Sequence, residues 1–308
     1  MESFLKLVAT DLYNRTQGDL AHTAVVFPNK RAGLFFNEHL AEQSDTPIWS
    51  PTYVSISELF RSLSTWEVGD PVKLVCELYK VFLHETQSKE TLDDFYFWGE
   101  MLISDFDDAD KNMVDTDNLF TNLQDLKNIM DDYTFLNNEQ EEAIQQFFQN
   151  FSIEHRTVLK ERFISMWDAL GNIYKKFHEV LSSRGIAYEG MLYRHVIEHL
   201  DVEALPYERY VFIGFNVLNK VEQTLFKKLQ EAIFYWDYDE FYMSSHSFVN
   251  ADEPYPHEAG EFIRRNLRDF PSPLPAELFN TLARPKEIHY IAAPTENAQA
   301  RYLPAWIR

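Results

Sequence analysis

A pair of histidines in the sequence has the spacing of a metal site. His195 and His199 flank Glu198 in the H-x-x-E-H pattern of one class of zinc peptidases. On a helix, residues four apart lie on one face, as a shared metal requires. No downstream helix offers a clear glutamate as third ligand, so we predict no metal here. The segment is better explained as an amphipathic helix packed through Leu192, Val196 and Leu200.

An acidic run from Asp105 to Asp110 raises the possibility of a calcium loop. A twelve-residue calcium loop that began at Asp105 would need Gly at position 110 and Glu at position 116. Those positions hold Asp110 and Thr116, so the pattern fails twice. We predict a solvated, acidic helix end with Phe106 packed inward.

A second acidic group, Asp237, Asp239 and Glu240, follows a predicted strand. Nucleases of the PD-(D/E)xK type need a strand-borne acidic pair and a Lys two residues further on, and no such Lys is present. The sequence also lacks the GxSxG turn that carries a nucleophilic serine and the GxGxxG turn that binds dinucleotides. These acids are therefore predicted to cap the strand, and we assign no catalytic residue.

The strand predicted for residues 210–213 is followed by Gly214, Phe215 and Asn216. In nucleotide-hydrolysing α/β proteins, the carboxyl end of such a strand carries the acidic residues that hold Mg²⁺. No carboxylate stands at these three positions, and no GxxxxGK[ST] phosphate loop occurs in the sequence. We therefore expect neither ATP nor Mg²⁺ as a cofactor.

Two adjacent cations, Lys30 and Arg31, follow Asn29 at the predicted start of a helix. A helix N-terminus offers backbone amides, and with two cations it could hold a phosphate of a nucleic-acid backbone. The alternative is that both side chains are simply solvated, and the residues taken alone favour this alternative.

The composition predicts a folded, acidic protein. Of 308 residues, 45% are hydrophobic and 25 are Phe, enough for a large core. The net charge of −21 argues against a free-standing nucleic-acid binder; a short basic strip, or a DNA role shared with a basic partner, stays open. A single cysteine, Cys76, suits a reducing compartment. With no membrane span or signal peptide in the sequence, we expect a cytoplasmic protein.

Helices and strands alternate at both ends of the sequence but not in its middle. Residues 1–70 and 201–287 show the alternation of a parallel sheet, with strands at 23–27, within 48–57, at 210–213 and at 233–236. Residues 71–200 show almost only helical patterns, two of them at 117–130 and 138–151. Residues 57 and 58 are predicted to begin a helix. A strand at 288–292 and an unfinished helix lead us to expect a fragment of a longer protein.

Taken in order, these segments resemble the helicase-like N-terminal half of AddB-type subunits of bacterial helicase–nucleases, inactivated relatives of superfamily I helicases. The resemblance lies in residues 25–40 (VVFPNKRAGLFFNEHL), 52–64 (TYVSISELFRSLS), 95–110 (FYFWGEMLISDFDDAD), 211–229 (VFIGFNVLNKVEQTLFKKL) and 288–308. The first is similar to the helicase motif that follows the phosphate loop and touches single-stranded DNA, and the second is similar to the next strand-and-helix motif, where a Thr or Ser ends the strand. Residues 214–216 stand where an active helicase has the Asp-Glu pair of its Walker B motif.

The resemblance implies a RecA-like α/β domain of the P-loop NTPase type (1–70 and 201–287), a helical insertion (71–200) and the start of a second RecA-like domain (288–308). It implies a non-catalytic module that guides single-stranded DNA during recombinational DNA repair and holds an AddA-type helicase–nuclease subunit. A PD-(D/E)xK nuclease domain would lie outside this chain. The implied DNA contacts are Asn29, Lys30, Arg31, Thr52 and Ser55. The alternative is an acidic protein-interaction scaffold without DNA contact.

Overall fold

The fold is described from a computed structural model, which defines residues 3–121, 156–229, 231–243, 258–282 and 284–307. The elements up to residue 111 are α1 (Phe4–Thr16), β1 (Thr23–Phe27), α2 (Lys30–Ala41), β2 (Thr52–Ser55), α3 (Ile56–Ser62), β3 (Glu67–Val68), α4 (Pro71–Thr86) and α5 (Leu92–Lys111). Those after residue 155 are α6 (Arg156–Ser182), β4 (Ile186–Ala187), α7 (Glu189–His199), β5 (Arg209–Ile213), α8 (Lys220–Lys228), β6 (Ile233–Tyr235), α9 (Glu240–Met243), α10 (Glu261–Asp269) and α11 (Glu296–Ile307).

The main sheet has four parallel strands in the order β2-β1-β5-β6. Its central strand β1 is buried along its whole length, and β5 is buried from its second residue onward. Val25 pairs with Tyr53 on one side and with Val211 on the other. Such unbroken apolar runs are typical of strands covered on both faces. The prediction of an α/β protein with a parallel sheet is confirmed.

The order of the strands reverses between β1 and β5. From β1 the chain crosses through α2 to β2 on one side, whereas from β5 it crosses through α8 to β6 on the other. Since parallel crossovers are right-handed, α2 and α8 lie on opposite faces of the sheet. Helix α1 packs against α2, and its Asp11 accepts a 2.6 Å hydrogen bond from the hydroxyl of Tyr235 in β6. In open α/β sheets, ligands bind beside such a reversal, at the carboxyl ends of the strands.

The helices α4 to α7 follow β3 and precede β5. Asp70 caps α4, with Pro71 at its first position, and Gly185 (φ +65°) ends the turn after α6. A two-residue strand in this region, β4, is absent from our sequence prediction. It pairs with β3, so after α6 the chain returns to the point from which it entered the helical region. There Trp66 stacks on His195 with ring centroids 3.8 Å apart.

One predicted helix boundary and one predicted strand are wrong. Helix α3 begins at Ile56, because Ser55 rather than Ser57 supplies the N-cap. Residues 288–292 form no strand, since no described strand pairs with them, and Ile288 and Tyr290 are exposed. The helix predicted at 138–151 and most of the one predicted at 117–130 lie outside the described residues. No described helix has both the length and the apolarity of a transmembrane segment.

The described chain divides into two compact units. The first comprises Met1–Asp237 and Phe262–Leu274, and the second Tyr238–Glu261 and Pro275–Arg308. In the second unit, Asp239 caps α9 by accepting from the amide of Phe241, and it also accepts from Thr281 and Leu282. The sequence predicts that the acidic group caps the strand β6. Asp239 instead organises a loop. Helix α11 has exposed apolar side chains, namely Tyr302, Leu303, Trp306 and Ile307.

Candidate nucleic-acid interface

The carboxyl end of β1 places three candidate residues where the strand order reverses. Asn29 caps α2, its Oδ1 accepting a 3.1 Å hydrogen bond from the amide of Arg31. Lys30 and Arg31 form the first turn of α2, and all three residues are exposed. The remaining amides of this turn and the two cations therefore surround a point that an anion can reach.

The charge of Lys30 is partly neutralised by a neighbouring carboxylate. Its Nζ forms an ion pair with Glu58 of α3, although 73% of the Lys30 side chain stays exposed. The hydrogen bond from Lys30 is the largest effect that lowers the pKa of Glu58, followed by the one from the amide of Ser55. Arg31 differs from Lys30, because its guanidinium makes no hydrogen bond or ion pair with any described residue. Arg31 is therefore the more available cation.

Ser55 and Thr52 do not share one environment. Ser55 is buried and caps α3: its hydroxyl accepts from the amide of Glu58, whose carboxylate accepts in return from the amide of Ser55. Thr52 is exposed at the opposite, amino end of β2. The two residues are three positions apart in an extended strand, which corresponds to about 10 Å. The structure thus brings Ser55 near Lys30, through Glu58, and leaves Thr52 apart.

The turn after β5 lies next to the same point of the sheet. Gly214 has φ +75°, and its amide donates to the carbonyl of Tyr235 at 2.9 Å. Phe215 is buried against Phe226. The carbonyl of Asn216 accepts a 2.6 Å hydrogen bond from Asn266 of α10. These residues form an apolar, hydrogen-bonded turn. None of the three offers a carboxylate as a metal ligand.

A buried polar cluster in the helical region was missed by the sequence analysis. Asp110, at the end of α5, is fully buried, whereas we predicted a solvated acidic helix end; that prediction is wrong for Asp110. Its carboxylate accepts hydrogen bonds from the hydroxyls of Tyr174 (2.5 Å) and Tyr188. His178 Nε2 lies 3.1 Å and Arg194 Nη1 3.3 Å from it. No local pattern signals this cluster, because its members come from three distant segments; the inward position of Phe106, however, is confirmed.

The contacts within the cluster shift the pKa of Asp110 and of both tyrosines. Burial raises the pKa of Asp110, but the hydrogen bonds from His178, Tyr174 and Tyr188 outweigh burial and hold that pKa below its ordinary value. Burial and the nearby charge of Asp110 raise the pKa of both Tyr174 and Tyr188. The carboxylate is therefore surrounded by the hydroxyls of Tyr174 and Tyr188, the ring of His178 and the guanidinium of Arg194, an arrangement that stabilises α5, α6 and α7 against one another.

His195 and His199 lie on one face of α7, as the sequence predicts, with ring centroids 4.3 Å apart. Burial against its surroundings lowers the pKa of His195, and the neighbouring His199 adds to that effect. Its packing on Trp66 explains its position without a ligand. Among the described residues, no three His, Cys, Asp or Glu side chains are grouped so that they could hold a metal ion.

No known family model matches the sequence, and no curated protein is significantly similar to it. The function of the chain is therefore inferred from its own residues and their geometry.

Proposed function

We propose that this chain is a non-catalytic, helicase-like module of the AddB type that guides single-stranded DNA. In this proposal the parallel sheet is a RecA-like core, and the chain acts in DNA end processing for recombination beside an AddA-type helicase–nuclease subunit. The order of the sequence motifs supports the family, and the parallel sheet is compatible with it.

The observation that carries the proposal is the exposed first turn of α2 at the strand reversal. Asn29 fixes the start of the helix, and Lys30 and Arg31 extend from it into solvent. A phosphate there would meet amides, the positive end of the helix dipole and two cations. Such contacts are independent of base identity, so we expect binding without sequence preference from this site.

The proposal includes no ATP chemistry. Hydrolysis of ATP needs a phosphate loop and carboxylates that hold Mg²⁺, whereas the sequence has no such loop and residues 214–216 are Gly, Phe and Asn. A motor fold can be retained for its shape after its catalytic residues are lost. The module would then position DNA for a partner that supplies the energy.

The experiment that tests the proposal is a binding titration with a fluorescent oligothymidine at low salt. Lys30→Ala and Arg31→Ala, singly and together, are expected to weaken binding, with the larger effect from Arg31 because Lys30 is shared with Glu58. Lys73→Ala is a matched control, since Lys73 is exposed on α4, a helix that packs on α5 and α6. Absence of binding by the unmodified protein, alone and with a co-expressed partner, would refute the proposal.

A second candidate function is a protein-interaction scaffold that never touches DNA. The exposed apolar side chains of α11, with Trp306 and Ile307 among them, favour this candidate because such residues often contact another protein. The net charge of −21 also suits a protein partner with a basic surface. The same titration separates the two functions, because a pure scaffold does not bind the oligonucleotide.

A further inference from the structure

Two adjacent phenylalanines in α2 have opposite environments. Phe36 is fully buried, and its ring contacts those of Phe27 in β1 and Tyr53 in β2. Phe35 lies outside this packing, with 54% of its surface exposed. Because so much of this ring stays in water, it adds little to the core. Its exposed face is available to a ligand.

Phe35 and Arg31 lie one turn apart on the outer face of α2. Side chains four positions apart on a helix are neighbours, with about 5–6 Å between their Cβ atoms. Helical side chains lean toward the N-terminus of their helix, so the ring of Phe35 leans toward the turn that contains Arg31. Arg31 is exposed, and its guanidinium is unpaired among the described residues. An accessible aromatic ring thus adjoins an available cation.

The charges on the outer face of α2 change sign along the helix. Lys30 and Arg31 stand at the first turn, whereas Glu38, which is also exposed, follows Phe35 by three positions. A phosphate is therefore attracted to the first turn and repelled beyond Phe35. The surface suits one phosphate at the first turn with its base on the ring of Phe35, and not a backbone that continues along the helix.

Contacts to phosphate alone distinguish a single strand from a duplex poorly, because both have a charged backbone. In a duplex the faces of the bases are stacked on one another, and only the base edges are accessible in the grooves. A single strand can place the face of a base on an aromatic side chain, as it does on proteins that bind single strands without sequence preference. An exposed ring beside a phosphate contact therefore favours unpaired bases.

We propose that Phe35 stacks on one unpaired base and thereby makes the site at the first turn of α2 selective for single-stranded nucleic acid. The stacked base belongs to a nucleotide whose phosphate is bound by Arg31. This inference rests on the proposed function, since it adds selectivity to the same site. Every base has a face that can stack, so the contact is expected to show little sequence preference.

The test compares three fluorescent probes at low salt: an oligothymidine, an abasic strand of the same length and a duplex. Phe35→Ala is expected to weaken binding of the oligothymidine by about fivefold or more, the loss typical of one stacked base. Binding of the abasic strand and of the duplex should stay unchanged, which also shows that the variant is folded. Phe35→Trp keeps an aromatic face and should bind the oligothymidine at least as tightly as the unmodified protein.

The salt dependence of the same titrations separates stacking from charge. Stacking involves no phosphate, so Phe35→Ala should keep the slope of log K against log salt concentration, whereas Lys30→Ala/Arg31→Ala should lower it. Leu34→Ala is the matched control, because Leu34 is the neighbouring residue and is more exposed, at 74%, but has no ring. This control should bind the oligothymidine with unchanged affinity. Equal losses from Leu34→Ala and Phe35→Ala would overturn stacking in favour of a general apolar surface.

The outcomes distinguish this inference from the proposed function. If Phe35→Ala binds the oligothymidine normally while Lys30→Ala/Arg31→Ala lowers the slope, stacking is refuted and the proposed function stands. Stacking is also refuted if Phe35→Ala weakens binding of the abasic strand as much as that of the oligothymidine. If the unmodified protein binds none of the three probes, alone or with a co-expressed partner, the proposed function and the inference are both refuted.

Discussion

At the scale of single residues, Glu58 limits what the first turn of α2 can bind. The sequence predicts Lys30 and Arg31 as a pair, because they are adjacent, but it does not predict that Glu58 neutralises one of them. That contact arises because β1 and β2 are neighbours, with Phe27 opposite Ser55, so the helices that follow them start side by side. An ion pair between exposed groups is weak and can be exchanged for a phosphate.

Glu58→Gln is expected to strengthen binding of single-stranded DNA several-fold at low salt, because it releases Lys30 and removes a negative charge beside the phosphate. A glutamine can still form the capping box with Ser55, so α3 should remain intact. The measurement is an oligonucleotide titration. Glu208→Gln makes the same charge change just before β5, at the opposite edge of the sheet, and serves as control. Equal effects of the two changes would show that only net charge matters.

The stability of the protein should depend strongly on Asp110. Asp110→Asn is expected to lower the free energy of unfolding by about 2–4 kcal/mol, because it removes the charge that Arg194 and His178 face. Asp108→Asn, on the exposed side of the same helix, is the control and should change stability by less than about 0.5 kcal/mol. Urea unfolding measures both; equal losses would contradict this role of Asp110.

The effect of Asp110→Asn should also depend on pH. The pKa of Asp110 is lowered in the folded protein, so the unfolded chain binds the proton more readily as the pH falls. The stabilisation from the carboxylate is therefore complete above about pH 4, the ordinary pKa of an aspartate, and is lost as the pH falls through the folded pKa. The difference between the unmodified protein and the variant should shrink accordingly. A difference independent of pH would argue against a charged Asp110.

At the scale of elements, the packing of α5 on α7 depends on a close approach at Gly190. Its amide donates to Asp107 Oδ1 at 2.5 Å, and Lys111 of α5 bridges Asp107 and Glu189. Helix boundaries in this region follow from caps and turn residues, such as Asp70 and Gly185, and were predictable. The partner of each helix was not, because glycine and charged residues give no periodic signal for contact.

Gly190→Ala is expected to destabilise the protein by about 2–4 kcal/mol. An added Cβ would lie 2.3 Å from the backbone oxygen of Asp107, so the two helices would have to separate. Gly33→Ala in α2 is the matched control: its Cβ would meet only ordinary contacts of 3.4 Å or more. Because alanine favours the helix, that change should be neutral or stabilising by up to about 1 kcal/mol. Thermal unfolding of both variants tests the contrast, which would disappear if α5 and α7 were loosely packed.

At the scale of the whole molecule, the sequence predicts the class of fold well and the site only in part. Buried strands such as β1 and β5 are recognisable as apolar runs, so the parallel sheet was predictable. The strand reversal that gives Asn29 to Arg31 their position, and the attachment of α10 beside it, depend on contacts between distant segments. The strand predicted at 288–292 is absent for a related reason. Its apolar residues suit a strand, but a strand also needs a neighbouring strand to form hydrogen bonds with its backbone N–H and C=O groups.

The most direct test of the central claim, that the first turn of α2 contacts single-stranded DNA, is the salt dependence of oligothymidine binding by Lys30→Ala/Arg31→Ala. If both cations meet phosphates, the slope of log K against log salt concentration should fall by about 1.4 relative to the unmodified protein. The Lys73→Ala control should keep the original slope. An unchanged slope in the double variant would contradict the claim, whatever the absolute affinity.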